Sequence, residues 1–183
     1  MISERAQHAL TLMVVRAVKS SPLVIPGGPM EVHCVEKFTH LAASKVVVLT
    51  IATYSFRLTF LIHFTADAAT RKHFATVTNT TVEDMDESSF LDAIRECGNI
   101  CCGSLNRDLV RLFPHIGMST PNLLDRQCLG YLERLGPGVV QHFEPVSSTT
   151  AKFCITLCIN DFDDLDFDGD FAGAEDTGEL EIF

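Results

Sequence analysis

Residues 90–113 run without a proline, and Pro114 closes them. Within the run Ile94, Gly98, Cys101, Leu105, Leu109 and Leu112 recur at spacings of three and four. That spacing puts them on one face of an α-helix. Such a helix is roughly 35 Å long, and its stripe needs an apolar partner of similar length. A broad sheet meets that need, so this segment narrows the fold to layers of helix on sheet. Ser88 or Ser89 is placed to cap its start.

The rest of the chain supplies the sheet. Residues 30–35, 46–53 and 56–64 are rich in Val, Ile, Thr and Phe, and read as three strands. Residues 118–124, 138–145 and 151–160 read as three more. An amphipathic helix over 2–19 precedes the first set, with Ala6, Leu10, Met13, Val14 and Ala17 on its apolar side. A short helix over 67–74 precedes the long one. Prolines and glycines over 22–29 break the chain between the first helix and the first strand. The order is helix, three strands, two helices, three strands. It predicts an α+β fold of two αβββ units, sharing one antiparallel sheet with long helices packed on it.

A chain of 183 residues is long enough for one domain with a sizeable core. Its net charge of −10 is confined to one end. Residues 161–183 hold ten acids and no Lys or Arg, while the other fourteen acids balance fourteen bases. The reading is therefore a neutral domain over 1–160 and an acidic tail over 161–183. That distribution argues against nucleic acid or an anionic membrane as partner. The most apolar region, residues 46–64, has Ser55 and Arg57 at its middle, which suits a hairpin around Thr53-Tyr54-Ser55 better than a membrane span. The N-terminal segment has Glu4, Arg5 and Arg16 where a signal peptide would need an apolar run. With seven cysteines, an odd number, the expectation is reduced thiols and a cytoplasmic protein.

On the long helix Asp92, Glu96, Asn99 and Gly103 are spaced i, i+4, i+7 and i+11. They form a second stripe, distinct from the apolar one. Two glycines inside a helix weaken it, so each needs a reason. Gly98, on the apolar stripe, permits close packing on the sheet. Gly103 keeps the surface beside Asn99 low enough for another molecule to approach. Spacing alone leaves an ordinary solvated helix face as the simpler account. Cys97, Cys101 and Cys102 cluster on this helix, and Cys154 and Cys158 share one face of the last strand. They read as core packing, with a metal or redox site as the alternative. A Walker loop, a dinucleotide-binding glycine fingerprint and a G-x-S-x-G elbow are all absent.

The stretch FLDAIRECGNICCGSLNRDL resembles the signature helix of the CheX/CheC/FliY phosphatases of bacterial chemotaxis. Their motif is an acid or Ser, then Glu four residues on, Asn three after that, and a distant Pro. Asp92, Glu96 and Asn99 fit the first positions, and Pro121 stands for the last, one residue short of the family spacing. The pattern occurs once, as in a one-site CheX-like protein. The resemblance implies a CheC-like fold and a phosphatase acting on the aspartyl phosphate of a CheY-like response regulator. In that role Asn99 orients the attacking water, Glu96 docks on the receiver's lysine, and Asp92 and Gly103 belong to the docking surface. The receiver brings its own Mg²⁺, so no cofactor of the chain's own is implied. A homodimer is implied as well. A non-enzymatic receiver-binding or self-associating module of the same fold is the alternative.

The tail adds one more candidate. Asp164, Asp166, Asp168, Asp170 and Glu175 match the spacing of a calcium loop, with Gly169 at the turn position. The flanking helices of such a site are missing from the pattern. A solvating acidic tail is the other reading, and a calcium-responsive interaction through this tail is the further function it would allow.

Overall fold

The computed structural model describes residues 1–25, 28–38, 43–147 and 150–169, without the side chains of residues 132 and 133. The elements run α1 (Glu4–Lys19), β1 (Met30–Val35), β2 (Lys45–Ala52), β3 (Phe56–Phe64), α2 (Ala68–Val77) and α3 (Glu87–Val110). Then follow β4 (Gly117–Met118), β5 (Asn122–Asp125), a 3₁₀ segment (Arg126–Leu135), β6 (Val139–Ser147) and β7 (Phe153–Asp161).

Among the described residues seven strands pair antiparallel in one sheet. The order is β1-β6-β7-β3-β2, with β4 and β5 both paired to β2. Exchanging β1 with β5, β2 with β6 and β3 with β7 turns this order onto itself. That is the signature of two repeated units, and each unit gives its first strand to the other's edge. The α+β reading holds, and a long helix does lie on the sheet.

The boundaries moved for local reasons. Asp86, rather than a serine, caps α3 by accepting the Ser89 N–H at 2.8 Å. The helix ends at Val110 rather than at Phe113, because a residue before proline avoids the helical region. The strand expected over 118–124 is two short strands around Pro121, which has no N–H to give the ladder. The 3₁₀ segment was not expected, although Cys128, Leu132 and Leu135 recur there at helical spacings of four and three.

The sheet has two covered faces. Ile155, Leu157 and Ile159 of β7 join Phe60, Ile62, Val47 and Leu49 beneath α1 and α3. On the opposite face Cys158 meets Val46 and Leu61, with Cys128 and Leu129 of the 3₁₀ segment packed over them. Asn160 ties that cover down by donating to the Leu135 and Gly136 carbonyls at 2.9 and 2.8 Å. A strand buried on both faces reads as continuous apolar sequence, which is the pattern of β7.

Packing continues past residue 160, where the sequence reading began the tail. Leu165 is buried, bridges to Ile2, and accepts the Ser3 N–H at 2.9 Å. Phe167 stacks edge-on against Phe113 at 5.2 Å. The apolar side chains between the acids make residues 161–169 a strap across the start of α1.

Candidate functional site

The roll of α3 is set from three directions. On the sheet side, a Cβ added to Gly98 would lie 3.0 Å from both Leu49 Cδ1 and Val47 Cγ1. The missing side chain lets the helix sit close to β2. On the α1 side, Arg16 Nη2 meets the buried Asp108 carboxylate at 2.8 Å. At the N-terminal end, Arg71 of α2 pairs with Glu87 at 2.6 Å, donates to the Met85 carbonyl at 2.7 Å and covers the Phe90 ring at 4.7 Å.

That roll turns the predicted polar stripe outward. Asp92 and Glu96 are exposed and Asn99 is half-buried. The Asn99 amide nitrogen is 3.5 Å from Glu96 Oε2, a long contact that leaves the amide uncommitted. Apart from its chain neighbours and the helix's own nearby backbone, no described atom lies within 4 Å of where a Gly103 Cβ would be, so the surface next to Asn99 is open. Asp92 is already engaged, its carboxylate accepting from Arg95 at 2.6 Å. The structure thus brings Asp92, Glu96, Asn99 and Gly103 to one accessible face, with the Glu96 carboxylate and the Asn99 amide side by side. Ile100, 38% exposed, stands on the same face and was missed. Its signal was available, one helical turn beyond Glu96. Pro121 sits between β4 and β5 and is partly exposed.

This arrangement can hold and orient water, and can pair with an incoming cation. Asp92, Glu96, Asn99 and Gly103 include no hydroxyl or thiol. α3 has no histidine, and Cys97, Cys101 and Cys102 beneath it are buried. Burial, with Cys101 beside it, pushes the Cys102 thiol up to about 12, so it is not a thiolate at neutral pH. Cys154 and Cys158 cannot join these three. Their strand positions alternate with the core-facing Ile155, Leu157 and Ile159, so the sheet stands between the two sets. Among the described residues no group of three or more His, Cys, Asp or Glu could hold a metal.

Of the calcium-loop residues, Asp164, Asp166 and Asp168 are described, while Asp170 and Glu175 lie outside the described residues. Asp166 accepts from Arg5 at 2.5 Å and from Ser3 Oγ at 2.7 Å. Asp164 accepts from the Met1 amine at 2.8 Å. The Arg5 hydrogen bond holds the Asp166 carboxyl below the usual range. These contacts were not readable from the sequence, since Arg5 and Asp166 stand at opposite ends of the chain.

A second polar cluster lies on the far face of the sheet. His63 Nε2 and His142 Nδ1 share the Thr156 hydroxyl at 2.9 and 3.1 Å, and the Phe38 ring meets both imidazoles edge-on. Burial pushes His63 down to about 4, with His142 and Arg126 adding to the shift. The sheet separates this cluster from α3.

No helix among the described residues is long and apolar enough to cross a membrane. No protein-family model matches the chain, and no curated protein matches it by sequence. Its shape does match solved structures. A chain of the CheX-CheY-BeF3-Mg²⁺ complex from Borrelia burgdorferi superposes with a TM-score of 0.63 at 11% identity, over 85% of this chain and 97% of that one. The chemotaxis protein CheX from Vibrio vulnificus gives 0.59 at 13% identity, over 83% and 97%. A CheC-like superfamily protein from Shewanella sp. PV-4 gives 0.55 at 11%, over 86% and 99%. With one antiparallel sheet, a repeated unit on each side and long helices on one face, the chain has the fold of the CheX and CheC-like chemotaxis proteins.

Proposed function

We propose that the chain is a phosphatase for the aspartyl phosphate of a CheY-like response regulator, with the outward face of α3 as its docking surface. One observation carries the reading: Glu96 and Asn99 stand together on an exposed helix face, beside the open surface at Gly103. A CheX of similar fold was solved in complex with CheY, which supports a receiver as the partner.

The chemistry asks little of this chain. Hydrolysis of a phosphoryl group needs an in-line water and neutralised charge on the phosphoryl oxygens. The receiver supplies its Mg²⁺ and lysine. Asn99 can accept from and donate to a water, so it positions the nucleophile without acting as a strong base. Glu96 is an anion and avoids the phosphate; it pairs with the receiver's lysine and fixes the approach. Asp92, already bonded to Arg95, borders the docking surface.

The test is phosphate release from a phosphorylated receiver with Mg²⁺, over a panel of receivers. Asn99→Ala should bind the receiver with unchanged affinity and lose the acceleration. Binding without acceleration by the wild type on every receiver would make the chain a receiver-binding module. Absence of receiver binding across the panel would refute both.

A further inference from the structure

About two turns of α3 past Asn99 stands another asparagine, Asn106. Asn99, Gly103, Asn106 and Val110 are spaced i, i+4, i+7 and i+11, which makes them one stripe. The stripe runs along the flank of α3 away from α1. Asp108 meets Arg16 of α1, and Asn106, two positions back, is about 200° around the helix from it. β4, at the opposite edge of the sheet from β1, borders this flank. Val110, 51% exposed, keeps the far end of the stripe in solvent. Gly103 lies between the two amides, and the surface over it is open. Asn99 and Asn106 are about 10 Å apart along the axis, a span that one element of a docking partner covers.

Asn106 differs from an ordinary surface asparagine in one respect. The residue is only half-buried, yet its Oδ1 is shut off from solvent and has no hydrogen-bond partner. An amide on a solvated helix face would have water on that oxygen. A carbonyl hidden from water and left unpaired destabilises the free chain, and asparagine is itself among the poorer helix formers. Leucine has nearly the same branched shape and neither drawback. The position thus weakens the isolated chain, and nothing within the chain offsets it. Such departures from local stability are expected where a residue serves a partner.

We propose that Asn106 is a further docking residue: on binding, its side chain turns outward and Oδ1 accepts a hydrogen bond from an N–H of the receiver, beside Gly103. The χ2 torsion of asparagine is broad, so the turn needs no movement of the helix. With Glu96 and Asn99 at one end and Asn106 at the other, the receiver is held at two points along α3. That fixes its register on the helix, and with it the place of Asn99 against the phosphoryl group. The contact rests on the receiver docking proposed above; the unpaired oxygen does not.

The test compares wild type, Asn106→Leu and Asn106→Gln in thermal midpoint, receiver affinity and phosphate release. Asn106→Leu should melt about 2–4 °C above wild type and bind the receiver about three- to tenfold more weakly. The loss should fall on KM and not on kcat, since Asn99 is untouched. Asn106→Gln keeps the acceptor and should recover most of the affinity. In isotope-labelled protein, the Asn106 side-chain amide signals should shift when a receiver held active by BeF3⁻ and Mg²⁺ is added. A midpoint for Asn106→Leu below wild type would show that the oxygen has a partner within the chain, and would overturn the proposal. Wild-type affinity in Asn106→Leu would overturn it and leave the function proposed above standing. A wild type that binds no receiver would remove that function and this contact together.

Discussion

Gly98 and Gly103 sit on opposite sides of one helix, and substituting them separates packing from docking. An alanine at Gly98 pushes a methyl to 3.0 Å from Leu49 and Val47. Overpacking of that kind costs about 1–3 kcal/mol, against a helix-propensity gain of about 1 kcal/mol. At Gly103 the gain comes with no clash. The two variants should therefore differ in thermal midpoint by roughly 4–8 °C, with Gly103→Ala the more stable. Gly103→Ala should nonetheless weaken receiver binding, which titration calorimetry would report. Both glycines were legible because a helix tolerates glycine only where something else needs it. The partner each one answers to was not legible.

His63 belongs to the same scale. Its folded pKa of about 4 lies below the ordinary 6.5, through burial first and the nearby His142 and Arg126 next. Between those values the unfolded chain holds the proton and the folded one does not. Stability present above pH 6.5 is thus lost as pH falls toward 4, by up to about 3 kcal/mol from this group. His73 and His142, also depressed, act in the same direction. Urea midpoints at pH 7 and pH 4.5 should differ less in His63→Gln than in wild type. Equal differences would remove His63 from the account.

At the scale of elements, the strongest periodicities were the most readable. The helix over 2–19 and the strands over 30–35 and 56–64 fall within a residue or two of α1, β1 and β3. The apolar stripe of α3 faces the core as read, except Leu112, which lies beyond the helix and is 38% exposed. Prolines and caps decided the rest. Pro121 splits a strand, and Asp86 begins α3 three residues earlier than expected. What joins the elements stayed hidden, because ion pairs between distant positions leave no local pattern. Arg16 and Asp108 are such a pair. Asp108→Ala should destabilise the fold by about 1–3 kcal/mol, since it removes one partner of a guanidinium that solvent partly screens and empties a buried position. Denaturant unfolding would measure it, and a change below about 1 kcal/mol would show that the seam is held by apolar contact alone.

The whole molecule closes at its two ends. Residues 161–169 cover the start of α1, and the core includes Leu165. Leu165→Ala should cost about 2–3 kcal/mol, whereas Asp166→Asn, at an exposed pair, should cost under about 1 kcal/mol. A chain cut after residue 160 should unfold at lower denaturant than one cut after residue 169. The sequence showed the acids of this region and concealed its packing, because Leu165 and Phe167 are isolated among aspartates. The candidate site was readable in residue identity, through one motif on one helix. That it faces outward follows from contacts on the other three sides of α3. The account turns on Asn99. Phosphate release from a phosphorylated CheY-like receiver should be accelerated by the wild type and fall to the receiver's own rate with Asn99→Ala, at unchanged receiver affinity. Equal acceleration by both proteins would contradict it.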